Sequence, residues 1–252
     1  MKFSLLLPTR KRPQQLRKLI ESILLTTHNI KDIEIHLAID DDDIQIQDTA
    51  VVLKDQYKLC NLLIHMRPRG NSIVTHYYNW LALHFCQGKY LMVLNDDTLF
   101  RSQDWDKNVY NRLEEYLKDK PDGLVLGISE DLDSDREVHN DYLVCGFPVI
   151  SKESVETLGF LLDPSFMMAT SDDDICKLYA TIDRVVDLRD ILVIQHHPPE
   201  FKDLDVKYAW FQETTYSEIM EIPVLPKTVA EMRFFLDKRI SLLIQRMIKV
   251  RT

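Results

Sequence analysis

The chain has 252 residues, 45% of them hydrophobic, and a formal net charge of −9; that length buries a substantial core and excludes a miniprotein that must be stapled together. Residues 227–252 carry a local balance of +5, leaving −14 for the first 226, and so acidic a body lacks the basic footprint that nucleic acid requires. Cys60, Cys86, Cys145 and Cys176 stand far apart with no CxxC pair, which removes zinc-ribbon and thioredoxin-type chemistry and predicts reduced, buried thiols.

In chain order, residues 2–7 read as a short buried strand closed by Pro8. The apolar positions Leu16, Leu19, Ile20, Ile23 and Leu24 then recur at helical spacing. Ile33, Ile35, Leu37 and Ile39 alternate with period two, and that strand stops at the carboxylate run Asp40 to Asp43. A helix near 49–57, an apolar run at 62–66, a helix over 72–85 and a strand at 90–94 complete a βαβαβαβ order. Such an order is the signature of a parallel sheet covered by helices on both faces. Further on, the pattern predicts a helix over 105–117, strands at 123–128 and 142–150 around an acidic loop at 130–135, and a helix opened by Ser151. A second acidic cluster follows at Ser171-Asp172-Asp173-Asp174, then a strand at 191–195 that ends at His196-His197-Pro198-Pro199.

Open α/β sheets bind ligands beyond the carboxyl ends of their strands. Three of those ends are polar here: Pro8-Thr9-Arg10, Asp40 to Asp43, and Asn95-Asp96-Asp97. The first glycine of the chain is Gly70, so the first β-turn-α holds none. Both the P-loop and the GxGxxG turn, which bring backbone close to phosphate through glycine, are thereby excluded. A divalent cation on carboxylates is another way to hold a diphosphate. Taken alone, Asn95-Asp96-Asp97 reads equally as a capped turn.

In combination these stretches resemble the GT-A fold glycosyltransferases, closest to family 2, with a likeness to phage and viral relatives in the tail VIQHHPPEFKDLDVKY. SLLLPTRKRPQQLRKLIESI is similar to the family's opening strand, nucleotide-contacting turn and first helix, and IHLAIDDDD to its second strand. Gly70, Ser72, Gly88, Tyr90, Leu94 and Asp97 fall where the family pattern expects them, with Asn79 about two positions late. The resemblance implies a nucleotide pocket lined by Pro8, Thr9, Arg10, Asp40, Asp41, Asp42, Arg69 and Asp96. Within it, Asp40 would accept from the base. Asp41 and Asp42 would touch the ribose or simply end the strand, and Arg69 would sit near the diphosphate or in solvent. It further implies Mn²⁺ (or Mg²⁺) on Asp97 and His197, with Asn95 and His196 as the remaining candidates. FLLDPSFMMATSDDDICKLY is similar to the acceptor region and puts Asp172 at the position of the catalytic base, or Asp173 after a one-residue shift. Those acids also suit the first turn of a helix capped by Ser171.

The fold expected is α/β, GT-A, with a mostly parallel central sheet flanked by helices and a C-terminal helical appendage. Residues 1–203 form the catalytic domain, 1–100 its nucleotide half and 101–203 its acceptor half, and 204–252 the extension. The expected activity is transfer from a nucleoside diphosphate sugar, a UDP-sugar first, to a hydroxyl on a carbohydrate, lipid-linked or protein acceptor, with inversion. The rival readings are a GT-A-like binding protein without catalysis and a sugar nucleotidyltransferase. Val229, Met232, Leu236, Ile240, Leu243, Met247 and Val250 make one helical stripe. It would dock on the catalytic domain, join two subunits, or lie on an anionic membrane surface. The opening apolar run is too short for a signal peptide or a membrane span, so the expected location is the cytoplasm, with peripheral membrane contact as the alternative. Donor specificity would sit in loop 130–140 and in aromatics such as Trp210 and Phe211.

Overall fold

The computed structural model describes residues 1–132, 145–165, 171–204 and 229–251, with the backbone alone at 171–173, 202–204, 229–237 and 251. Its first half runs β1 (Phe3–Thr9), α1 (Pro13–Thr26), β2 (Ile33–Asp40), α2 (Ile44–Gln56), β3 (Leu62–Arg67), a π-helical stretch (Val74–Asn79) leading into α3 (Trp80–His84), and β4 (Tyr90–Val93). There follow β5 (Thr98–Phe100), α4 (Trp105–Leu117), β6 (Leu126–Ile128), β7 (Glu130–Asp131), β8 (Val149–Ser151), α5 (Lys152–Leu158), α6 (Ser171–Thr181), β9 (Val185–Asp187), β10 (Val193–His196) and α7 (Val229–Arg251).

The main sheet has seven strands in the order β3-β2-β1-β4-β8-β6-β9. β1 lies parallel to β2 and to β4, and β2 to β3. β8 enters antiparallel between β4 and β6. Because β1 and β2 are covered on both faces, successive residues feed different cores. Phe3, Leu5 and Leu7 join Leu16, Leu19, Ile20 and Ile23 of α1 in one cluster, whereas Leu6 and Ala38 join Val74, Tyr78 and Leu81 in the other. Burying each such Leu or Ile side chain stabilises the fold by roughly 1.5–3 kcal/mol. Pro13 at the first turn of α1 starts that helix where an amide N–H would be unsatisfied anyway. Gly88 admits the close approach of the α3–β4 turn to β1, since a Cβ there would lie 2.5 Å from the Phe3 carbonyl carbon. The same junction is tied by the buried Glu34, whose Oε1 accepts from Ser4 Oγ (2.5 Å), Gln87 N (2.5 Å) and Gly88 N (3.0 Å).

Several sequence expectations need correction. The helix expected near 49–57 starts at Ile44, because Asp43 does not merely end the strand: its Oδ1 accepts from Ile46 N at 3.3 Å and caps α2. The strand expected at 123–128 is confined to β6, and of the one expected at 142–150 only β8 forms among the described residues, 142–144 lying outside them. The helix expected over 72–85 begins as a π-turn, which accommodates an extra residue relative to an α-helix. It sets Asn79 to accept from Leu161 N and Leu162 N, both at 2.9 Å, and to donate to Leu162 O at 2.7 Å. β5, β7 and β9 were not anticipated; none exceeds three residues. Trp210, Phe211 and most of loop 130–140 lie outside the described residues.

α7 packs along α5 and α6, burying Leu243, with Ile240 and Met247 against the second core. The buried Arg239 reaches Asp163 Oδ2 at 2.6 Å and forms a two-pronged pair with Asp174. Leu242, Ile244 and Ile248 point outward. Among the described residues no helix is long and apolar enough to cross a membrane.

Candidate functional site

The second, three-stranded sheet brings the two ends of the site together. β5 starts directly after Asp97 and pairs antiparallel with β10 in the register His196↔Thr98. The chain is further pinned by His197 N donating to Asp97 O at 2.9 Å. His197 adopts φ +47, a left-handed backbone uncommon outside glycine. The outcome is a cluster of Asp97, His196 and His197 whose ligand atoms all lie within 4.8 Å of one another. His196 Nε2 is 3.3 Å from Asp97 Oδ1, and His197 Nδ1 is 3.5 Å from Asp97 Oδ2. The imidazole rings stack with centroids 3.9 Å apart.

Among the described residues, Asp97 Oδ1 and His196 Nε2 are buried atoms without a hydrogen bond, although they face each other. Buried polar atoms of that kind need a partner. A carboxylate oxygen and an imidazole nitrogen are together a donor set for a divalent first-row cation. Asp131 of β7 stands behind His196, accepting from its backbone N at 3.3 Å and placing Oδ2 3.9 Å from Nδ1.

Asp96 and Asp97 differ sharply despite adjacency. Asp96 is fully engaged: Oδ2 accepts from Thr9 Oγ1 (2.8 Å) and Oδ1 from Arg12 Nη1 (2.7 Å). Burial, opposed by the charge of Arg12 and helped by that of Asp97, pushes its carboxyl up to about 6. Asp97 receives the same Arg12 nitrogen on Oδ2 at 3.1 Å. Burial acts upward there too, but His196, Arg12 and His197 together outweigh it and hold Asp97 below the usual carboxylate range. Asp97 is thus the ionised member. The Asn95 side chain is engaged by Tyr78, whose hydroxyl donates to its Oδ1 at 2.8 Å.

At the end of β2, Asp40 is 2% exposed. Its Oδ1 accepts from Tyr77 Oη at 2.5 Å and its Oδ2 from Arg10 Nη1 at 2.8 Å. Arg10 also grips Asp42 through Nη1 (2.6 Å) and Nη2 (3.1 Å). Pro8 is paired with Ala38 inside the sheet, Asp41 is exposed with its N–H on Arg67 O at 2.8 Å, and Arg69 is exposed near Asp42. Asp172 and Asp173 fall on the first turn of α6; their side chains lie outside the description.

Arg12 and Tyr77 were not singled out from the sequence. Arg12 stands 84 and 85 residues from its partners, and nothing in Arg10-Lys11-Arg12 tells which arginine meets which strand. The structural signal is Lys11, whose φ of +54 turns Arg10 toward β2 and Arg12 toward β4. Lys11 N itself donates to Asp43 Oδ2 at 2.6 Å.

No family model matches the sequence, and no curated protein matches it. Among solved structures it is similar to S. aureus TarS at 12% identity and TM-score 0.59, over 79% of this chain and 37% of that one. It is similar to TarS 1–349 in complex with UDP-GlcNAc at 11% identity and TM-score 0.58, over 99% of this chain and 73% of that one. A third likeness is to the mannosyltransferase PcManGT from Pyrobaculum calidifontis in complex with GDP-Man and Mn²⁺, at 12% identity and TM-score 0.57, over 99% and 73% of the two chains. The chain therefore spans little more than a third of the first of these structures. Together with the sheet order, these matches establish the GT-A glycosyltransferase fold.

Proposed function

We propose that this chain is a metal-dependent glycosyltransferase. It moves a sugar from a nucleoside diphosphate donor, a UDP-sugar, to the hydroxyl of a carbohydrate, lipid-linked or protein acceptor, with inversion. The observation that carries the reading is the facing pair Asp97 Oδ1 and His196 Nε2, buried 3.3 Å apart and neither making a hydrogen bond among the described residues, at the carboxyl edge of a GT-A sheet. The neighbours' bound UDP-GlcNAc and GDP-Man with Mn²⁺ support the donor class and the metal.

Asp97 and His196, with His197 beside them, would hold Mn²⁺ or Mg²⁺. The cation would supply charge neutralisation for the departing diphosphate. Pro8, Thr9, Arg10, Asp40, Asp41, Asp42, Arg69 and Asp96 form the nucleotide side. Arg12 adds a fixed positive charge next to Asp97. Asp172, or Asp173 next to it, takes the acceptor's hydroxyl proton while that oxygen attacks the anomeric carbon from the face opposite the diphosphate. One carbon–oxygen bond forms to the acceptor, and the bond to the diphosphate breaks. Residues 1–203 carry both halves of this site, and 204–252 are the extension.

Titration with Mn²⁺ followed by electron paramagnetic resonance, alongside hydrolysis of a nucleotide-sugar panel, tests the reading. The wild type should bind one Mn²⁺ and hydrolyse at least one donor, and Asp97→Ala should lose both. Wild type that takes up no Mn²⁺, or Asp97→Ala that retains binding and hydrolysis, would refute it.

A further inference from the structure

The segment between β3 and the π-helical stretch, residues 68–73, carries Arg69, which stands near Asp42 at the nucleotide end of the sheet. Two consecutive side chains of the π-helical stretch hold this segment. His76 Nδ1 accepts from two neighbouring amides, Asn71 N at 3.1 Å and Ser72 N at 3.2 Å. Tyr77 Oη accepts from Gly70 N at 2.9 Å and donates to Asp40 Oδ1 at 2.5 Å. Gly70 lies flat against His76, since a Cβ there would come within 2.5 Å of the His76 Cβ. The two ends are fixed separately. Arg67 stacks on the rings of Tyr77 and Trp80, 5.1 Å from each centroid, and Ser72 Oγ accepts from Thr75 N at 3.1 Å. One imidazole nitrogen thus takes two N–H groups from the middle of the segment, which it can do only while it carries no proton of its own.

We propose that His76 is a positioning residue for the donor nucleotide: its neutral imidazole clasps residues 70–72 so that Arg69 stays at the donor site, and its protonation opens the clasp and weakens donor binding. The inference rests on the nucleotide-sugar reading above and gives that site a control by acid. Imidazolium bears an N–H on each ring nitrogen, so a proton at Nδ1 meets the amides of Asn71 and Ser72 donor to donor. Each amide must then find water or move. From β3, the charge acting on His76 is that of Arg67, which together with burial holds the imidazole below its usual range. From β2, Asp40 meets the segment through the Tyr77 hydroxyl and not through the imidazole. Among the described residues no carboxylate counters Arg67 at His76. Tyr77, pushed up to about 12 chiefly by burial and by Asp40, keeps its proton throughout, so the imidazole is the part of the clasp that acid changes. The clasped form binds fewer protons than the open one, and closure loses ground as pH falls below about 6.5.

The test measures calorimetric dissociation constants for UDP and GDP in Mn²⁺ at about pH 8 and about pH 5.5, on wild type, His76→Asn and His76→Phe. Amide hydrogen exchange of the three nucleotide-free proteins is followed at both pH values. Asparagine sets an acceptor oxygen where Nδ1 stands and does not titrate, whereas phenylalanine keeps a ring and removes the acceptor. Acid should weaken nucleotide binding about threefold to tenfold more in wild type than in His76→Asn. Asp96 and the phosphates titrate in both proteins, so that difference isolates His76. At the higher pH His76→Asn should match wild type within about threefold, and His76→Phe should bind weakly at both. The amides of Asn71 and Ser72 should lose protection in acid in wild type but not in His76→Asn. Equal acid weakening in wild type and His76→Asn, or wild-type amides equally protected at both pH values, would overturn the assignment while leaving the glycosyltransferase reading intact. Wild type that binds neither nucleotide overturns that reading and the donor role with it, while the amide protection still decides the clasp, and so the two failures are distinct.

Discussion

Replacing Arg12 by glutamine removes the cation shared by Asp96 and Asp97, whose side chains are only 8% and 7% exposed. Taking one partner from a buried ion pair costs about 3–5 kcal/mol, because the charge left behind is uncompensated. In a chain of this size each kcal/mol lowers the melting temperature by about 2–4 °C. Arg12→Gln should therefore melt roughly 6–20 °C below wild type by differential scanning calorimetry. Adding Asp96→Asn to it should recover part of the loss, as it neutralises one of the stranded carboxylates, and the double variant should be more stable than the sum of the two singles predicts. Mn²⁺ at a hundred times its dissociation constant contributes about 2.7 kcal/mol to any form that binds it. Its affinity should be greater in Arg12→Gln, where Asp97 has lost a competing cation, so the metal should narrow the gap between variant and wild type. A variant that melts within about 2 °C of wild type, or a double variant as unstable as the summed singles, would show that Arg12 does not neutralise these acids.

Two further outcomes follow from buried charge elsewhere. Burial and the neighbouring His36 lower His65 to about 4, while Glu34 sits at about 2 because His36, Ser4 and Gln87 outweigh the effect of burial. Both native values lie below those of the unfolded chain, so the unfolded state binds more protons. Stability should fall with acid from about pH 6.5 to 4 through His65 and from about 4.5 to 2 through Glu34. Urea midpoints across pH should show His65→Phe flattening the upper window alone; an unaltered slope there would exclude the histidine as its source. Arg239→Ala strands Asp163 and Asp174 under α7 and should cost about 3–5 kcal/mol, with α7 amides losing hydrogen-exchange protection first. Equal loss across the whole sheet would instead mean that α7 does not open separately.

The parallel half of the fold was legible because its strands are long, apolar and followed by helices of matching period. Ile33 to Ile39 and the run ending at Leu94 declare themselves by composition alone. β5, β7 and β9 are too short for periodicity to register, and β8, expected as part of a strand at 142–150, owes its antiparallel place to neighbours far along the chain. At the site, Asp97, His196 and His197 stand out as polar groups that end apolar strands, the family resemblance is what groups them, and the structure places their side chains next to one another. Their division of labour was not legible. That Asp96 is occupied by Thr9 and Arg12, and Asn95 by Tyr78, depends on contacts between residues from different elements, which no local pattern encodes. Asp43 shows the converse: the sequence displayed a four-acid run, and only the amide of Ile46 separates the helix cap from the rest.

The left-handed Lys11 makes the β1–α1 turn a single bracket bolted to two strand ends, with Arg10 on one side and Arg12 on the other. The two halves of the site consequently share one mechanical mount. A shift of the turn toward β2 draws the guanidinium of Arg12 away from β4, and the reverse holds as well. Any displacement of this turn therefore alters the electrostatics of both strand ends in one step, at Asp40 and Asp42 on one side and at Asp96 and Asp97 on the other, whereas exchange of the Asp42 side chain on a stationary turn leaves the contacts of Arg12 as they are.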